Sequence, residues 1–380
     1  MTKTTPEKDL RIETIRGLAL FLMVAGHVIG SSSDLGMKVP DDSVLRYLYD
    51  SLVYIRMPLF TAISGYVYAL RPVNTGSDLS RFYQGKFKRV GIPLLTVSTL
   101  FFALQMIVPN TNDKPQLSEI FSIYFFSYAH FWFLQAIFCI FMVIALLEKA
   151  GLLLSLRNYG LVFAVALAAS FASEGCPNLF SLDRAVELFP FFLLGLGLYR
   201  FSEQLITRSS VITMAAALVI LVGIDQAYLF ALIDLDDIDL AVVGTALGLA
   251  AISLLIARRF YFLPLAWLGY FSFEIYLFHV FGTAGARIVL NKLQVEEQWL
   301  VFTVSMLLGL LLPVAFKLVL ERIGPLHVLS VAFFGTRTRV NRATAPLQKK
   351  SDAQDGGSRH HGLEGARKHE DHASRVNARG

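Results

Sequence analysis

Long apolar runs, separated by short polar stretches, recur along the chain between residues 15 and 334. A transmembrane helix needs about 20 predominantly apolar residues, and ten runs meet or approach that length. These runs are residues 15–33, 45–70, 91–109, 130–148, 159–173, 185–200, 210–232, 239–257, 264–290 and 299–320. The pattern predicts an all-α, polytopic membrane protein with about ten transmembrane helices.

Two parts of this pattern are irregular. The second run contains Arg56 and Pro58 near its middle, which predicts a kink or a polar pocket. Residues 120–128 are apolar but too short to cross a membrane, so we expect an interfacial or re-entrant segment before the fourth span.

Lysine and arginine residues are concentrated in alternate loops between the runs. If the N-terminus lies inside, the outer loops hold only Lys38, Arg46, Lys114, Arg184 and Lys292. Cytoplasmic loops of membrane proteins carry the excess of basic residues, so an N-in, C-in topology is predicted. The chain then divides into a cytoplasmic N-terminal segment (1–14), a membrane domain (15–334) and a disordered polar cytoplasmic tail (335–380).

The composition agrees with a membrane protein. The 380 residues are 55% hydrophobic and 17% charged, whereas soluble domains contain about 25% charged residues. The net charge of +5 is spread over short loops, so membrane lipids rather than nucleic acid are the expected partners. Cys139 lies in an apolar run and Cys176 in a loop, which predicts neither a disulfide framework nor a metal site.

Arg16 and His27 are the first candidate functional residues. They lie eleven residues apart at the first apolar run, so on a helix they share one face and are separated by roughly 16 Å along the axis. An ionisable side chain inside hydrocarbon usually faces the protein interior or a water-filled cavity. The alternatives are an arginine that extends to the membrane surface and a hydrogen-bonded histidine in the core.

Further polar side chains of both signs lie at membrane depth, which favours a polar cavity over isolated contacts between helices. They are Arg56, His130, Trp132, Gln135, Glu187, Asp225, Glu274, Tyr276 and His279. A separate basic stretch before the third span includes Lys86 and Arg89. This stretch could hold phosphates through charge-assisted hydrogen bonds, or it could follow only from the positive-inside rule and the attraction of anionic lipids.

Six short motifs occur in order along the chain, each close to a predicted span. They are Arg16 followed after ten residues by His27, 57–60 (MPLF) with 64–66 (SGY), 86–93 (KFKRVGIP), 130–134 (HFWFL), 191–195 (FFLLG), and 268–272 (LGYFS) with 275–279 (IYLFH). In this combination the chain resembles the acyltransferase-3 family of integral membrane acyltransferases over residues 9–329. It resembles the members that consist of the membrane domain alone, without a fused hydrolase-like domain.

The resemblance implies an enzyme that takes an acyl group, usually acetyl, from cytoplasmic acyl-CoA. The acceptor would be a hydroxyl of a cell-surface polysaccharide or of its lipid-linked sugar precursor. Acetyl-CoA, or another acyl-CoA, is then a donor substrate, and no bound cofactor is expected. The arginine and histidine that are essential in the family correspond to Arg16 and His27. Together with the basic loops, the resemblance implies a bacterial inner membrane.

We assign hypothetical roles on this basis. His27 is either the general base or a transient acyl carrier. Arg16 holds a CoA phosphate or the thioester in a cavity that it shares with His27 and that opens to the cytoplasm. Lys86 and Arg89 bind the nucleotide phosphates.

Four further side chains are candidate substrate contacts. Arg56 or Tyr276 would stabilise negative charge on the thioester oxygen. For His279, as for Glu274, a structural role between helices fits the sequence as well as contact with substrate does. For Trp132, packing or anchoring at the membrane interface is favoured over stacking on a sugar or adenine. The rival functions are a transporter or flippase for a lipid-linked sugar or small solute, and a structural partner of a polysaccharide-export complex.

Overall fold

The computed structural model describes residues 9–73, 78–108, 114–258, 260–323 and 327–335, which form helices joined by turns and loops. The helices are α1 (Leu10–Ile29), α2 (Val44–Ser51), α3 (Val53–Ala69), α4 (Leu79–Lys86), α5 (Ile92–Ile107), α6 (Ser122–Phe125), α7 (Trp132–Lys149), α8 (Leu156–Ser170), α9 (Leu182–Arg200), α10 (Ser202–Leu205), α11 (Arg208–Leu229), α12 (Asp237–Ala257), α13 (Leu263–Tyr270), α14 (Ser272–Lys292), α15 (Gln298–Arg322) and α16 (His327–Phe334). Lipid offers the backbone no hydrogen-bond partners, so a membrane chain satisfies its amides within helices. The predicted all-α fold is confirmed.

Among the described residues, seven helical segments are long and apolar enough to cross a membrane. They are α1, the continuous segment Leu79–Ile107, α7, α11, α12, α14 and α15. The other three predicted runs also contain helices, but α3 has 17 residues, α8 has 15, and α9 carries charged residues in its first turns. The chain is therefore an all-α membrane protein, whereas the count of ten crossings and the N-in, C-in topology stay predictions.

The two irregular stretches have distinct local structures. The second run forms two helices, α2 and α3. Arg56 lies in the first turn of α3, and Pro58 follows two residues later in the same helix. The short run before the fourth span follows a 3₁₀ turn, Leu117–Glu119, and contains the four-residue α6, with Phe121 and Phe125 exposed. Between α4 and α5 the basic stretch forms a π-helical turn, Phe87–Gly91.

The centre of the bundle is α3, which packs along α9 and also contacts α1 and α12. Gly65 of α3 stands against the backbone of Phe192, and Gly195 of α9 stands against the backbone of Ala62. A Cβ atom at either glycine would overlap a carbonyl oxygen, so the two backbones touch directly. This crossing explains the glycines in two of the sequence motifs.

We expect Gly195→Ala to destabilise the folded protein, because the added methyl group would push α3 and α9 apart. Overpacking of this kind costs about 1–3 kcal/mol. The measurement is the thermal unfolding midpoint of the purified protein in detergent. Gly223→Ala is the matched control, since the space beside Gly223 in α11 is open and alanine favours helices. Equal midpoints for the two variants would contradict the close crossing.

The two ends of the bundle differ in chemistry. At one end, which we call the cavity end, α1 and α14 finish and α12 and α15 begin. Gly30, Asp237 and Lys292 line a cavity there. At the other end, which we call the basic end, α1 begins and α4 leads through the basic stretch into α5. Leu104 of α5 lines the same cavity, and Lys86 precedes it by eighteen residues, which is about 27 Å along a helix.

The start of α1 is capped by Asp9, whose side chain accepts a hydrogen bond from the backbone amide of Arg11. The Arg11 guanidinium beside it lowers the pKa of the Asp9 carboxyl. Residues 1–8 of the predicted N-terminal segment and residues 336–380 of the predicted tail lie outside the described residues.

Candidate active site

Three histidine rings from three separate segments form a cluster near the cavity end. His27 lies in the last turn of α1, His130 precedes α7 by two residues, and His279 lies in α14. The ring centroids of His27 and His279 are 4.9 Å apart, those of His130 and His279 4.9 Å, and those of His27 and His130 6.2 Å. Among the described residues, no group of His, Cys, Asp and Glu could hold a metal ion.

Backbone contacts determine where two of these rings carry their protons. His279 Nδ1 lies 2.8 Å from the carbonyl oxygen of Tyr276, and His130 Nε2 lies 3.3 Å from that of Leu277. A carbonyl oxygen only accepts, so these two nitrogens are the N–H donors. In neutral rings the lone pairs are then on His279 Nε2 and His130 Nδ1. Both atoms are buried and have no hydrogen-bond partner in the described part of the chain.

A polar network holds the segment that carries His130. The fully buried Gln135 donates to two backbone carbonyl oxygens before α7, at 3.1 and 3.2 Å, and accepts from the Ser181 hydroxyl at 2.6 Å. Ala129 has a positive φ of 44°, which is uncommon for a residue with a side chain. The segment is thus fixed at both sides of His130, which directs the ring into the cluster.

A cavity of about 2080 Å³ extends from the cluster to the cavity end. His27 and His130 line it, whereas His279 is fully buried and is not part of the lining. Pockets for small molecules typically measure about 300–1,000 Å³, so this cavity has room for a substrate larger than one sugar. His27 is half-buried and therefore reachable from the cavity.

Three predicted substrate contacts, Arg56, Trp132 and Tyr276, also line the cavity. The Tyr276 hydroxyl donates its hydrogen to the carbonyl oxygen of His130, so it already has an acceptor within the protein. The Arg56 guanidinium lies over the Tyr49 ring, 3.9 Å from its centroid. Of the two residues expected to stabilise negative charge, Arg56 has the freer N–H groups.

The structure places Arg16 apart from His27. On α1 the cavity lining includes Met23 and His27 but not Arg16, which pairs with the Glu13 carboxylate at 2.8 Å. The two residues were expected to share one cavity. They do share a helix face, but three helical turns separate them, so each side chain meets different neighbouring helices.

Lys86 and Arg89 lie at the basic end, away from the histidine cluster. The Lys86 ammonium is 3.2 Å from the centroid of the Phe141 ring, a cation–π contact. The Arg89 side chain is exposed. Their predicted contact with phosphates therefore concerns a different region from the cavity around His27.

Two site residues were not assigned a role from the sequence. Arg287 lines the cavity, and its Nη1 lies 3.4 Å from the carbonyl oxygen of His27. It lies near the end of a run, where arginines commonly extend to the membrane surface, so nothing distinguished it. His130 was noted for its depth and as the first residue of the motif at 130–134, but it was given no role. Conversely, Glu274 forms a buried ion pair with Lys317 of α15, which makes it a contact between helices.

Comparisons with known proteins identify the family of the chain. The family model of the acyltransferase domain matches residues 9–318. The nodulation protein NolL of Mesorhizobium japonicum is 27% identical over 198 residues, which cover 50% of this chain and 48% of that protein. The chain thus spans about half the length of this curated relative, and no solved structure is significantly similar to it. Because the domain match covers most of the chain and includes all three histidines, the chain belongs to the acyltransferase-3 family of integral membrane acyltransferases.

Proposed function

We propose that the protein is an O-acyltransferase that moves an acyl group, with acetyl the expected one, from acyl-CoA to a glycan. The acceptor is a sugar hydroxyl of a cell-surface polysaccharide or of a lipid-linked precursor. The observation that carries the proposal is the position of His27, which lines a large cavity and has two further imidazoles beside it. Acyl transfer to a hydroxyl needs a base, and imidazole suits that task near neutral pH.

Two paths are open for the reaction. In the direct path, His27 takes the hydroxyl proton while the oxygen attacks the thioester carbonyl, the C–S bond breaks, and the proton passes to the departing thiolate. In the carrier path, His27 first accepts the acyl group, and CoA leaves as a thiol with the proton of the ring. The acceptor hydroxyl then attacks the acyl-imidazole, and its proton restores the ring. Both paths need a lone pair of His27 directed into the cavity.

His279 is the proposed positioning residue for that lone pair. Its Nε2 is a buried acceptor without a described partner, and His130 already directs its N–H to a carbonyl oxygen. His27 is therefore the ring in the cluster with an N–H left to donate. In the structure the His27 and His279 rings are not hydrogen-bonded to each other, but their centroids are 4.9 Å apart, so the proposal requires the His27 ring to rotate until its N–H meets Nε2. Such a bond leaves the other nitrogen of His27 to face the substrate.

The acyl-CoA donor is proposed to bind at the basic end, and the acceptor in the cavity. Lys86 and Arg89 supply charge for the nucleotide phosphates, and the pantetheine arm of CoA then carries the thioester along α1 past Arg16. The basic end would face the cytoplasm of a bacterium, in agreement with the positive-inside rule, and the cavity would open on the outer side of the inner membrane.

Arg16→Lys is expected to lower kcat/KM for acetyl-CoA about tenfold. A compact ammonium cannot both pair with the Glu13 carboxylate and extend a second set of N–H groups to the donor. Arg200→Lys is the matched control, because Arg200 of α9 also pairs with a buried carboxylate, that of Glu148 in α7, at 2.6 Å. Full activity of the Arg16 variant would show that the reaction needs only a positive charge at this position and not the guanidinium group.

The proposed function is tested with purified protein in lipid nanodiscs. Acetyl-CoA and a glycan acceptor are supplied, free CoA thiol is measured, and the glycan is analysed by mass spectrometry for an acetyl ester. We expect thiol release that depends on the acceptor. A transporter or flippase consumes no thioester, so movement of a glycan across the bilayer without CoA release would overturn the proposal.

A further inference from the structure

Two arginines approach the backbone of α1 at the catalytic histidine. Arg287 Nη1 lies 3.4 Å from the carbonyl oxygen of His27. The Arg56 guanidinium stands against Gly26, where a Cβ atom would overlap its Nη1. Arg56 and Arg287 come from α3 and α14, and both line the cavity. The adjoining residues of α1 thus bring two permanent positive charges to the same part of the cavity.

Neither guanidinium has a carboxylate partner within 4.0 Å in the described part of the chain. This contrasts with three other cations of the bundle: Arg16 pairs with Glu13, Arg200 with Glu148, and Lys317 with Glu274. A charge at membrane depth is costly unless an opposite charge or water accompanies it. Asp50 interacts with Arg56 electrostatically, but it forms no ion pair with Arg56 and does not line the cavity. Two neighbouring cations without an ion-pair partner therefore favour an anionic ligand.

The carboxylates of the cavity lie elsewhere. The acidic residues in the lining belong to helix starts, turns and loops at the cavity end, so they line the rim; they are Glu174, Asp183, Glu187, Asp237 and Glu296. Arg184 at this rim pairs with Glu187 at 2.8 Å. Opposite charges are thus present together at the mouth, while the region around His27 is positive. An anion that passes the mouth gains its strongest attraction beside the reacting histidine.

The Arg56 guanidinium is also held in one orientation. One face lies over the Tyr49 ring at 3.9 Å, and Nη1 occupies the space that a Cβ atom at position 26 would take. A guanidinium that is fixed in this way presents its N–H edge as a fork, which matches the two oxygens of a carboxylate or phosphate. Pre-organisation of this kind favours binding because little side-chain freedom is lost.

We infer that Arg56 and Arg287 form an anion subsite, and that the acceptor carries a carboxylate or phosphate close to the hydroxyl that is acylated. The inference rests on the proposed function and makes it more specific. The acceptor anion would bind to the two guanidiniums and so place the neighbouring hydroxyl at His27. A carboxylate would come from an acidic sugar, and a phosphate from a sugar phosphate or lipid-linked sugar.

The test measures binding without acyl-CoA, so it does not depend on turnover. Wild-type protein in phosphatidylcholine nanodiscs is titrated with three fluorescent probes: a neutral tetrasaccharide, the same tetrasaccharide with a terminal phosphate, and tetragalacturonate. We expect one anionic probe to bind at least about tenfold more tightly than the neutral probe, as charge-assisted hydrogen bonds provide. The preferred probe distinguishes a carboxylate from a phosphate.

Arg56→Gln and Arg287→Gln are each expected to lower the affinity for the anionic probe about tenfold and to leave the affinity for the neutral probe unchanged. Arg184→Gln is the matched control: it removes the same charge from the same cavity, but from an ion pair, and we expect a change below about twofold. If a glutamine variant fails to fold, the salt dependence of wild-type binding tests the subsite instead. Salt weakens an electrostatic contact, so added salt should lower the affinity for the anionic probe and not that for the neutral probe.

Equal affinity of the wild type for neutral and anionic probes would overturn the anion subsite. It would also be overturned if the glutamine variants lowered the affinity for all probes to the same extent. That second pattern would indicate a general role in the shape of the cavity. The proposed acyl transfer is judged separately, by release of CoA thiol with the neutral tetrasaccharide as acceptor. If the protein acetylates the neutral probe but does not prefer an anionic probe, the proposed function stands and the anion subsite is contradicted.

Discussion

His27→Ala is expected to lower acyl transfer about 1,000-fold or more, because the substitution removes the base or the carrier from the cavity. The folded state should change little. His27 is half-buried beside a cavity of about 2080 Å³, so the space left by the ring joins an existing cavity rather than creating a void in a packed core. The measurements are CoA release from acetyl-CoA and the thermal unfolding midpoint.

Leu104→Ala provides the matched control for this variant. It shortens another side chain of the same cavity lining, and we expect activity within about twofold of wild type, as for an energetically neutral contact. Added imidazole should restore part of the activity of His27→Ala, because the cavity admits a free ring. Wild-type activity in His27→Ala would remove this histidine from the mechanism.

Incubation with labelled acetyl-CoA in the absence of an acceptor separates the two paths. A carrier predicts label on the wild-type protein, at most one per chain, and none on His27→Ala. A general base predicts no label on either protein, together with full activity of the wild type once the acceptor is added.

His279→Asn is expected to lower kcat about 100-fold while KM for both substrates changes less than about twofold. The shorter amide can still donate to the carbonyl oxygen of Tyr276, as Nδ1 does, but it places no acceptor where Nε2 lies. His27 then loses the partner that orients it, while the cavity lining stays the same, since His279 is not part of that lining. Steady-state kinetics with acetyl-CoA and a glycan give both constants.

His279→Gln should recover most of this loss, because the longer side chain can place an amide oxygen near the position of Nε2. Phe278→Leu controls for damage to α14: Phe278 is buried and packs on Phe316 and Phe334, away from the histidine cluster. If asparagine and glutamine at 279 lower kcat equally, or if Phe278→Leu does the same, His279 serves only the packing of the helix.

The helices and one member of the site could be predicted from the sequence, because both follow from local properties. Apolar runs of about 20 residues form helices wherever lipid surrounds them, and His27 is conspicuous as an ionisable residue inside such a run. The roles of His279 and Glu274 could not be separated. They lie in one helix, yet one belongs to the histidine cluster and the other pairs with Lys317.

By itself, the sequence determined the all-α membrane architecture and the family motifs, and it made His27 a candidate site residue. Only the tertiary structure decided that His130 and His279 join His27, that Arg287 reaches its backbone, and that Arg16 lies outside the cavity. The physical reason is that an apolar run specifies a helix but not its neighbours. Which faces meet depends on close crossings such as that of Gly65 and Gly195, between residues far apart in the chain.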